Sequence, residues 1–318
     1  GLRDNTYTNI MVSWLLTRAL ELLDREGDKL SALRQRLQLS DSEIAEWEKI
    51  SRHLHIVISE DGILAQYDGY FDLQELDWEA YRKKYGNIYR MDRLLKAEGS
   101  SPDAYKVAKQ ADVLMAFYNL GEAGTAAVLK RLGYNIPIEK LRKNFDYYLP
   151  RTSHGSTLSR LVHGVVAAMF GDQELAWELY SEALASDFQD IQGGTTAEGI
   201  HLGVMSGSVL ATMNIYGGLN TSGEFLKLKP CLPSQWSRLA FRLKFQGDLY
   251  LIEIAKGVVK VGITCLVNKR VVVEVNGVAH EISDGQTATF GPSGLTIQDP
   301  QVHASCCDRH AHKNCYVR

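Results

Sequence analysis

The apolar positions change their period once along the chain. From about residue 6 to 217 they recur at helical spacing, and beyond Gly218 they alternate with polar ones. "YTNIMVSWLLTRALELLDREG" places Ile10, Trp14, Leu15, Ala19 and Leu22 on one broad helical face. "SDSEIAEW" opens a further helix with a capping box, Ser40 to Glu43. The same spacing predicts helices over 78–97, 103–119, 122–132, 137–147, 156–170, 173–186 and 197–215. Short turns such as "NLGEAG" and "GYNIPIEK" join several of them, which favours antiparallel neighbours. Residues 55–73, "HIVISEDGILAQYDGYFDL", break the helical period. They read as a long ordered loop with strand-like pieces, the kind of segment that often carries function.

The second half of the pattern predicts a small antiparallel β domain over 225–298, after the proline-bearing junction "KPCLPSQW". Phe241, Leu243 and Phe245 share one face, as do Val259, Val261 and Ile263, and Val271, Val273 and Val275. Gly247-Asp248 and Asn276-Gly277 are the hairpin-turn signals. Residues 299–318 read as a disordered tail. Cys306, Cys307, His310, His312 and Cys315 lie close together there, but their spacing matches no common zinc motif, so no metal is expected.

Composition narrows the class. With 318 residues, 45% hydrophobic and 23% charged, the chain has the balance of a globular protein with a sizeable core. Its net charge of −3, without a basic block, argues against a nucleic-acid partner. No apolar run reaches the roughly 20 residues of a membrane-spanning helix. The five cysteines are absent from the first 230 residues, which points to a reducing, cytoplasmic setting rather than a disulfide-stapled domain. The chain starts at Gly1 immediately before a strong helix, as a fragment of a longer protein would.

Four stretches could carry chemistry. In "RTSHGSTLSR" (151–160), His154, Gly155 and Ser156 precede a helix whose free N–H groups favour an anion. Ser153 or Ser156 acting as an N-cap, with His154 packed, accounts for the same residues. In "DIQGGTTAEGIHLG" (190–203), Gly193, Gly194 and Thr195 offer donors to an anion, with Glu198 or His201 facing a pocket. A Thr195–Glu198 capping box explains that stretch equally well. In "YKVAKQADVLM" (105–115), Lys109 and Gln110 either hydrogen-bond a polar ligand or form a solvated helix end. In "YDGYFDL" (67–73), Asp68 and Tyr70 suit a sugar site, or Asp68-Gly69 is a tight turn over a buried Tyr70 and Phe71. No Walker A sequence, Rossmann fingerprint, nucleophile elbow or His-Glu-x-x-His occurs.

Taken in order, "DNTYTNIM", "QYDGYFDL", "AYKVAKQADVLM", "RTSHGSTLSRLVH" and "DIQGGTTAEGIHLG" resemble the catalytic domain of glycoside hydrolase family 65, over about residues 1–298. That family contains maltose, trehalose, kojibiose and nigerose phosphorylases and some hydrolases. The resemblance implies a mainly α fold: residues 1–218 as the C-terminal portion of an (α/α)6 barrel, then a small antiparallel β-sandwich domain. It implies inverting phosphorolysis of an α-glucosidic disaccharide, with inorganic phosphate as co-substrate and no other cofactor. A hydrolase of the same family, or a non-catalytic carbohydrate-binding remnant, are the alternatives.

By the same resemblance His154, Gly155, Ser156, Gly194 and Thr195 contact phosphate. Lys109 and Gln110 hold the glucosyl unit. Tyr70, Asp68 and Glu198 are further substrate-site candidates on their own chemistry. The family's general acid is the glutamate of a "Pro-Asp-Glu-Tyr"-like motif upstream of the "DNTYTN" segment. Nothing from Gly1 onward matches it, so this chain alone is expected to be inactive. Homodimerisation, or association with the missing N-terminal part, is expected to cover exposed apolar helix faces.

Overall fold

The protein is described by a computed structural model covering residues 2–25, 27–191, 196–255, 257–267, 269–292 and 294–298. It divides between Ala211 and Thr212 into two compact units. The first holds ten α-helices among the described residues: α1 (Thr6–Arg25), α2 (Gly27–Leu37), α3 (Asp41–His53), α4 (Trp78–Tyr85), α5 (Met91–Ala97), α6 (Asp112–Arg131), α7 (Ile138–Tyr148), α8 (Thr157–Met169), α9 (Gln173–Ala185) and α10 (Leu202–Ala211). α1 packs on α3 and α6, α6 on α7 and α8, and α8 on α9 and α10. Their shared core includes Ile10, Leu64, Leu114, Phe117, Tyr148 and Val166. Among the described residues no helix is long and apolar enough to cross a membrane.

Local chemistry explains where the helices start. The Asn5 side chain accepts from Thr8 N at 2.9 Å, Ser40 from Glu43 N at 3.1 Å, Asp77 from Ala80 N at 3.0 Å and Asp172 from Leu175 N at 3.0 Å. Each satisfies an N–H group that the helix itself leaves open. α6 and α8 have no such side-chain cap.

Several predicted boundaries move. The helix expected over 78–97 is two, because Gly86 takes φ 67° and closes α4 with its N–H on Arg82 O. The helix expected from 103 begins at 112, because Pro102–Ala104 form a single 3-10 turn and Ala104, Lys106 and Ala108 bond to neighbouring segments. The break expected between 119 and 122 is found at Gly121, whose φ 70° and ψ 174° are non-helical, so α6 is two helical stretches, the second ending at Arg131. The last predicted helix starts at Leu202, and its continuation over Thr212–Tyr216 is π-helical. On α1, Ile10 is fully buried and Trp14 partly, but Leu15 and Leu22 are more than half exposed. The broad face read from the sequence is therefore two faces.

The second unit carries β1 (Leu219–Asn220), β2 (Leu226–Leu228), β3 (Leu239–Phe245), β4 (Asp248–Ala255), β5 (Val258–Thr264), β6 (Arg270–Val275), β7 (Val278–Ser283), β8 (Thr287–Gly291) and β9 (Gly294–Gln298). They form an antiparallel five-stranded sheet, β3-β4-β5-β8-β9, and a four-stranded sheet, β1-β2-β6-β7. One core joins residues of both: Tyr250, Ile252, Val259 and Val261 with Leu226, Val273 and Ile282. Two features differ from expectation. β2 pairs with β6 in parallel, Leu226 opposite Val273, so this sheet is mixed. The β3–β4 turn is Gln246-Gly247, one residue earlier than predicted, with φ 50° and 92°. Asn276-Gly277 turns as predicted, at 52° and 84°. Two left-handed residues in a two-residue loop match the twist of the flanking strands.

Candidate functional site

The long loop of residues 55–73 is fixed before it reaches the site. Asn144 on α7 accepts from Leu64 N at 2.8 Å and donates to Gly62 O at 3.0 Å. Tyr148 donates to Leu64 O at 2.5 Å. The loop thereby presents Gln66, which is buried and joins two helix starts. Its carbonyl accepts from Thr6 N at 3.0 Å, and its side-chain oxygen accepts from Asp112 N at 3.2 Å. Burial pushes the Asp112 carboxyl above its ordinary value, against a hydrogen bond from Asn5. Two of the candidate residues follow. Tyr70 is 1% exposed, with the Tyr67, Phe71 and Tyr148 rings 5.8, 5.8 and 5.9 Å away, and burial raises its phenol far above the usual range. Asp68 is at the surface, 3.5 Å from Arg3.

The segments leading into α6 and α8 run side by side. Ala108 N donates to Arg151 O at 2.9 Å, and Ser153 N donates to Ala108 O at 2.8 Å. On the other side Lys106 N donates to Gln74 O at 2.7 Å. Arg151 is held by Glu75 at 3.1 Å, by Tyr147 O at 2.8 Å and over the Tyr147 ring at 3.9 Å. This short parallel ladder sets Lys109 and Gln110 beside the turn of residues 153–156.

The turn is built tightly. Gly155 has no room for a side chain: a Cβ there would lie 2.4 Å from Tyr89 O and 3.1 Å from Lys109 Cγ. Ser156 occupies the N-cap position of α8 with extended backbone, but its hydroxyl makes no cap bond. It donates instead to Gln110 Oε1 at 3.0 Å. The cap reading of Ser156 therefore fails: the hydroxyl is turned to Gln110 and accepts from none of the first N–H groups of α8. Ser153 is buried and bonds Ala108 O at 3.3 Å.

His154 has φ 53°, in the left-handed region that non-glycine residues visit uncommonly and histidine more readily than most. Its Nδ1 lies 3.0 Å from Ser159 Oγ, and its ring meets His163 edge to face at 4.7 Å. His163 is fully buried; its Nδ1–H donates to Ser159 O at 2.7 Å, which leaves Nε2 as a bare acceptor. Burial, then His163 and Arg160, pull His154 down to about 3. Burial pulls His163 to about 4.

Arg160 was not singled out from the sequence. It is 1% exposed, and no other Arg, Lys, Asp or Glu stands on α8. It donates to Glu182 Oε2 at 2.5 Å, to His154 O at 3.2 Å and to Ile191 O at 3.3 Å, with its guanidinium 4.6 Å from the Tyr89 ring centroid. The available signal was one charge and one histidine, at 160 and 163, within "LSRLVHGVVAAM". Beyond Ile191 the chain reaches His201, whose Nδ1 lies 2.7 Å from Asp187 Oδ1.

The structure thus brings His154, Gly155, Ser156, Lys109 and Gln110 together. Gly194, Thr195 and the side chain of Glu198 lie outside the described residues, as do the cysteines and histidines of the tail. No cluster of metal-ligating side chains occurs among the described residues.

A helical unit that gathers hydroxyl, imidazole and amide groups at two helix starts, followed by a small β unit, matches a known catalytic class. Residues 1–210 match the glycosyl hydrolase family 65 central catalytic domain, and residues 219–281 match the family's C-terminal domain. The chain belongs to glycosyl hydrolase family 65. It is 42% identical over 257 residues to trehalose 6-phosphate phosphorylase of Lactococcus lactis, a match covering 81% of this chain and 32% of that protein. It is 30% identical to kojibiose phosphorylase of Halothermothrix orenii (79% of this chain, 30% of that protein) and to maltose phosphorylase of Bacillus subtilis (80% and 31%). A solved structure of a human-microbiome protein shares the fold, with TM-score 0.68 and 23% identity over 89% of this chain and 35% of that one. The chain spans about a third of the length of the curated relatives it matches.

Proposed function

We propose that this chain is the C-terminal portion of an (α/α)6-barrel catalytic domain with its following β domain. In the whole protein it serves inverting phosphorolysis of an α-glucosidic disaccharide, giving β-glucose 1-phosphate and a free sugar. A carboxylic acid upstream of Gly1 protonates the glycosidic oxygen. A phosphate oxygen attacks the anomeric carbon from the opposite face, the bond to the protonated leaving sugar breaks, and the configuration inverts. An inverting hydrolase needs a second carboxylate to activate water, whereas phosphate is already a nucleophile and needs anion donors in its place.

The observation that carries the reading is the turn of residues 151–160. It sets His154 and Ser156 at the start of α8, with Ser156 on Gln110 and Lys109 Cγ close to Gly155, and it contains no aspartate or glutamate. In this reading His154, Gly155 and Ser156, with Gly194 and Thr195, bind phosphate. Lys109 and Gln110 hold the glucosyl unit. With its Oε1 taken by Ser156, Gln110 has its amide N–H groups as donors to sugar hydroxyls. Asp68 and Glu198 support the substrate side, whereas Tyr70, 1% exposed among Tyr67, Phe71 and Tyr148, packs in the core as the buried-turn reading expects. The identity to the Lactococcus lactis protein makes trehalose 6-phosphate the first disaccharide to assay.

Calorimetric titration with inorganic phosphate tests the cradle. His154→Ala should weaken phosphate binding by more than it weakens folding, followed by thermal unfolding of the same samples. Equal binding by His154→Ala and the parent chain would leave His154 a packing residue.

A further inference from the structure

We infer that Arg160 is a positioning residue for the anion turn: it holds His154 in its left-handed backbone conformation and so fixes the direction of the imidazole and of the Gly155–Ser156 backbone. The inference that this aim serves phosphate rests on the functional reading above.

A buried guanidinium needs a reason. An apolar side chain of similar volume would fill the same space in α8, without the cost of desolvating a charge. Arg160 is nonetheless 1% exposed, with one carboxylate partner, Glu182, at 2.5 Å. Its other donors go to backbone carbonyls, His154 O at 3.2 Å and Ile191 O at 3.3 Å. Hydrogen bonds from a charged donor are stronger than neutral ones, and a planar fork fixes direction as well as distance.

The carbonyl it grips belongs to a residue in the left-handed region. No hairpin turn sets φ 53° at His154, as one does at Gln246 and Asn276, so its neighbours hold it there. Three contacts do this for His154: Arg160 on its carbonyl, Ser159 Oγ at its Nδ1, and the His163 ring against its own. Arg160 also reaches the far side of the turn. The Tyr89 ring centroid lies 4.6 Å from its guanidinium, and Tyr89 O is the atom that excludes a Cβ at Gly155. One side chain thereby contacts both His154 and the residue whose carbonyl lies against Gly155.

The test compares Arg160→Met, Arg160→Lys and Glu182→Gln with the parent chain. Phosphate affinity is read by calorimetry, folding by thermal unfolding, and the backbone conformation of His154 by its NMR chemical shifts. Arg160→Met should lose roughly tenfold or more in phosphate affinity, the scale of one charged hydrogen bond, and His154 should leave the left-handed region. Arg160→Lys should recover part of both. Glu182→Gln, which keeps an acceptor for Arg160, should bind phosphate within about threefold of the parent, even where its melting temperature falls.

Unchanged affinity and unchanged His154 shifts in Arg160→Met would overturn the inference. So would a loss of affinity that simply tracks melting temperature across all three variants. If Arg160→Met does not fold, Arg160→Lys decides by the same two readouts. If the parent chain binds no phosphate, the phosphorylase reading of the turn fails, and the His154 shifts still decide whether Arg160 sets its backbone.

Discussion

Ser156 Oγ donates to Gln110 Oε1 at 3.0 Å, joining two segments that are 46 residues apart in sequence. The bond ties the start of α8 to the approach to α6. It uses a hydroxyl that stands where a helix cap would be, so removing it should uncouple two segments and not merely fray a helix end. Ser156→Ala should lower stability by about 1 kcal/mol, the net worth of one part-buried hydrogen bond. Combined with Gln110→Ala the effects should fall short of additive by about 0.5–1.5 kcal/mol. Urea denaturation of the two single variants and the double variant measures this. Strict additivity would mean that the bond contributes nothing in solution.

Gly155 is the position where a single methyl group should do most damage. Its Cβ would meet the Tyr89 carbonyl at 2.4 Å, a backbone atom that cannot rotate away. Gly155→Ala should cost about 1–3 kcal/mol, the range for forced overpacking, and should abolish phosphate binding by shifting the turn. A variant that binds phosphate as the parent does would show that the turn tolerates displacement.

The two imidazoles give a pH signature. His154 is held down to about 3 and His163 to about 4, both mainly by burial, whereas an unfolded histidine titrates near 6.5. The unfolded chain therefore binds more protons below pH 6.5. The contribution of these groups is complete above that value and is lost as pH falls toward 4 and then 3. Each imidazole adds a slope of up to about 1.4 kcal/mol per pH unit in this window. Urea midpoints at about pH 7.5 and about pH 5 should differ in that direction. Equal midpoints would show that neither ring is held neutral.

Much of this arrangement was legible in the sequence, and the rest was hidden for identifiable reasons. The helical period, the Ser40 cap and the Asn276-Gly277 hairpin depend on local chemistry and were readable. The start of α6 at Asp112 was not, because residues 104–108 are drawn out of the helix by bonds to Gln74 and residues 151–153. His154, Gly155, Ser156, Lys109 and Gln110 were named from two separate motifs, and the ladder that unites them is a tertiary feature. Arg160 escaped notice because a charge on a helix is ordinarily solvated. Only the fold shows that this one is buried. The parallel pairing of β2 with β6 is also non-local, and no turn signal announces it.

Asn144 tests how the long loop is held. It satisfies Leu64 N and Gly62 O at once, both on the segment that delivers Gln66 to the helix starts. Asn144→Ala would leave those groups buried without a partner, at a cost of about 2–4 kcal/mol. The Leu64 amide should also exchange faster with solvent deuterium. Unchanged exchange at Leu64 would place the anchor of the loop elsewhere.

The central claim is that phosphate stands where a hydrolase would use activated water. The most direct measurement is product formation by the whole protein that carries this chain, given trehalose 6-phosphate, trehalose, maltose or kojibiose with and without inorganic phosphate, and followed by phosphorus and proton NMR. β-Glucose 1-phosphate should form from one of these disaccharides only when phosphate is present. Free glucose released at the same rate without phosphate would contradict the claim.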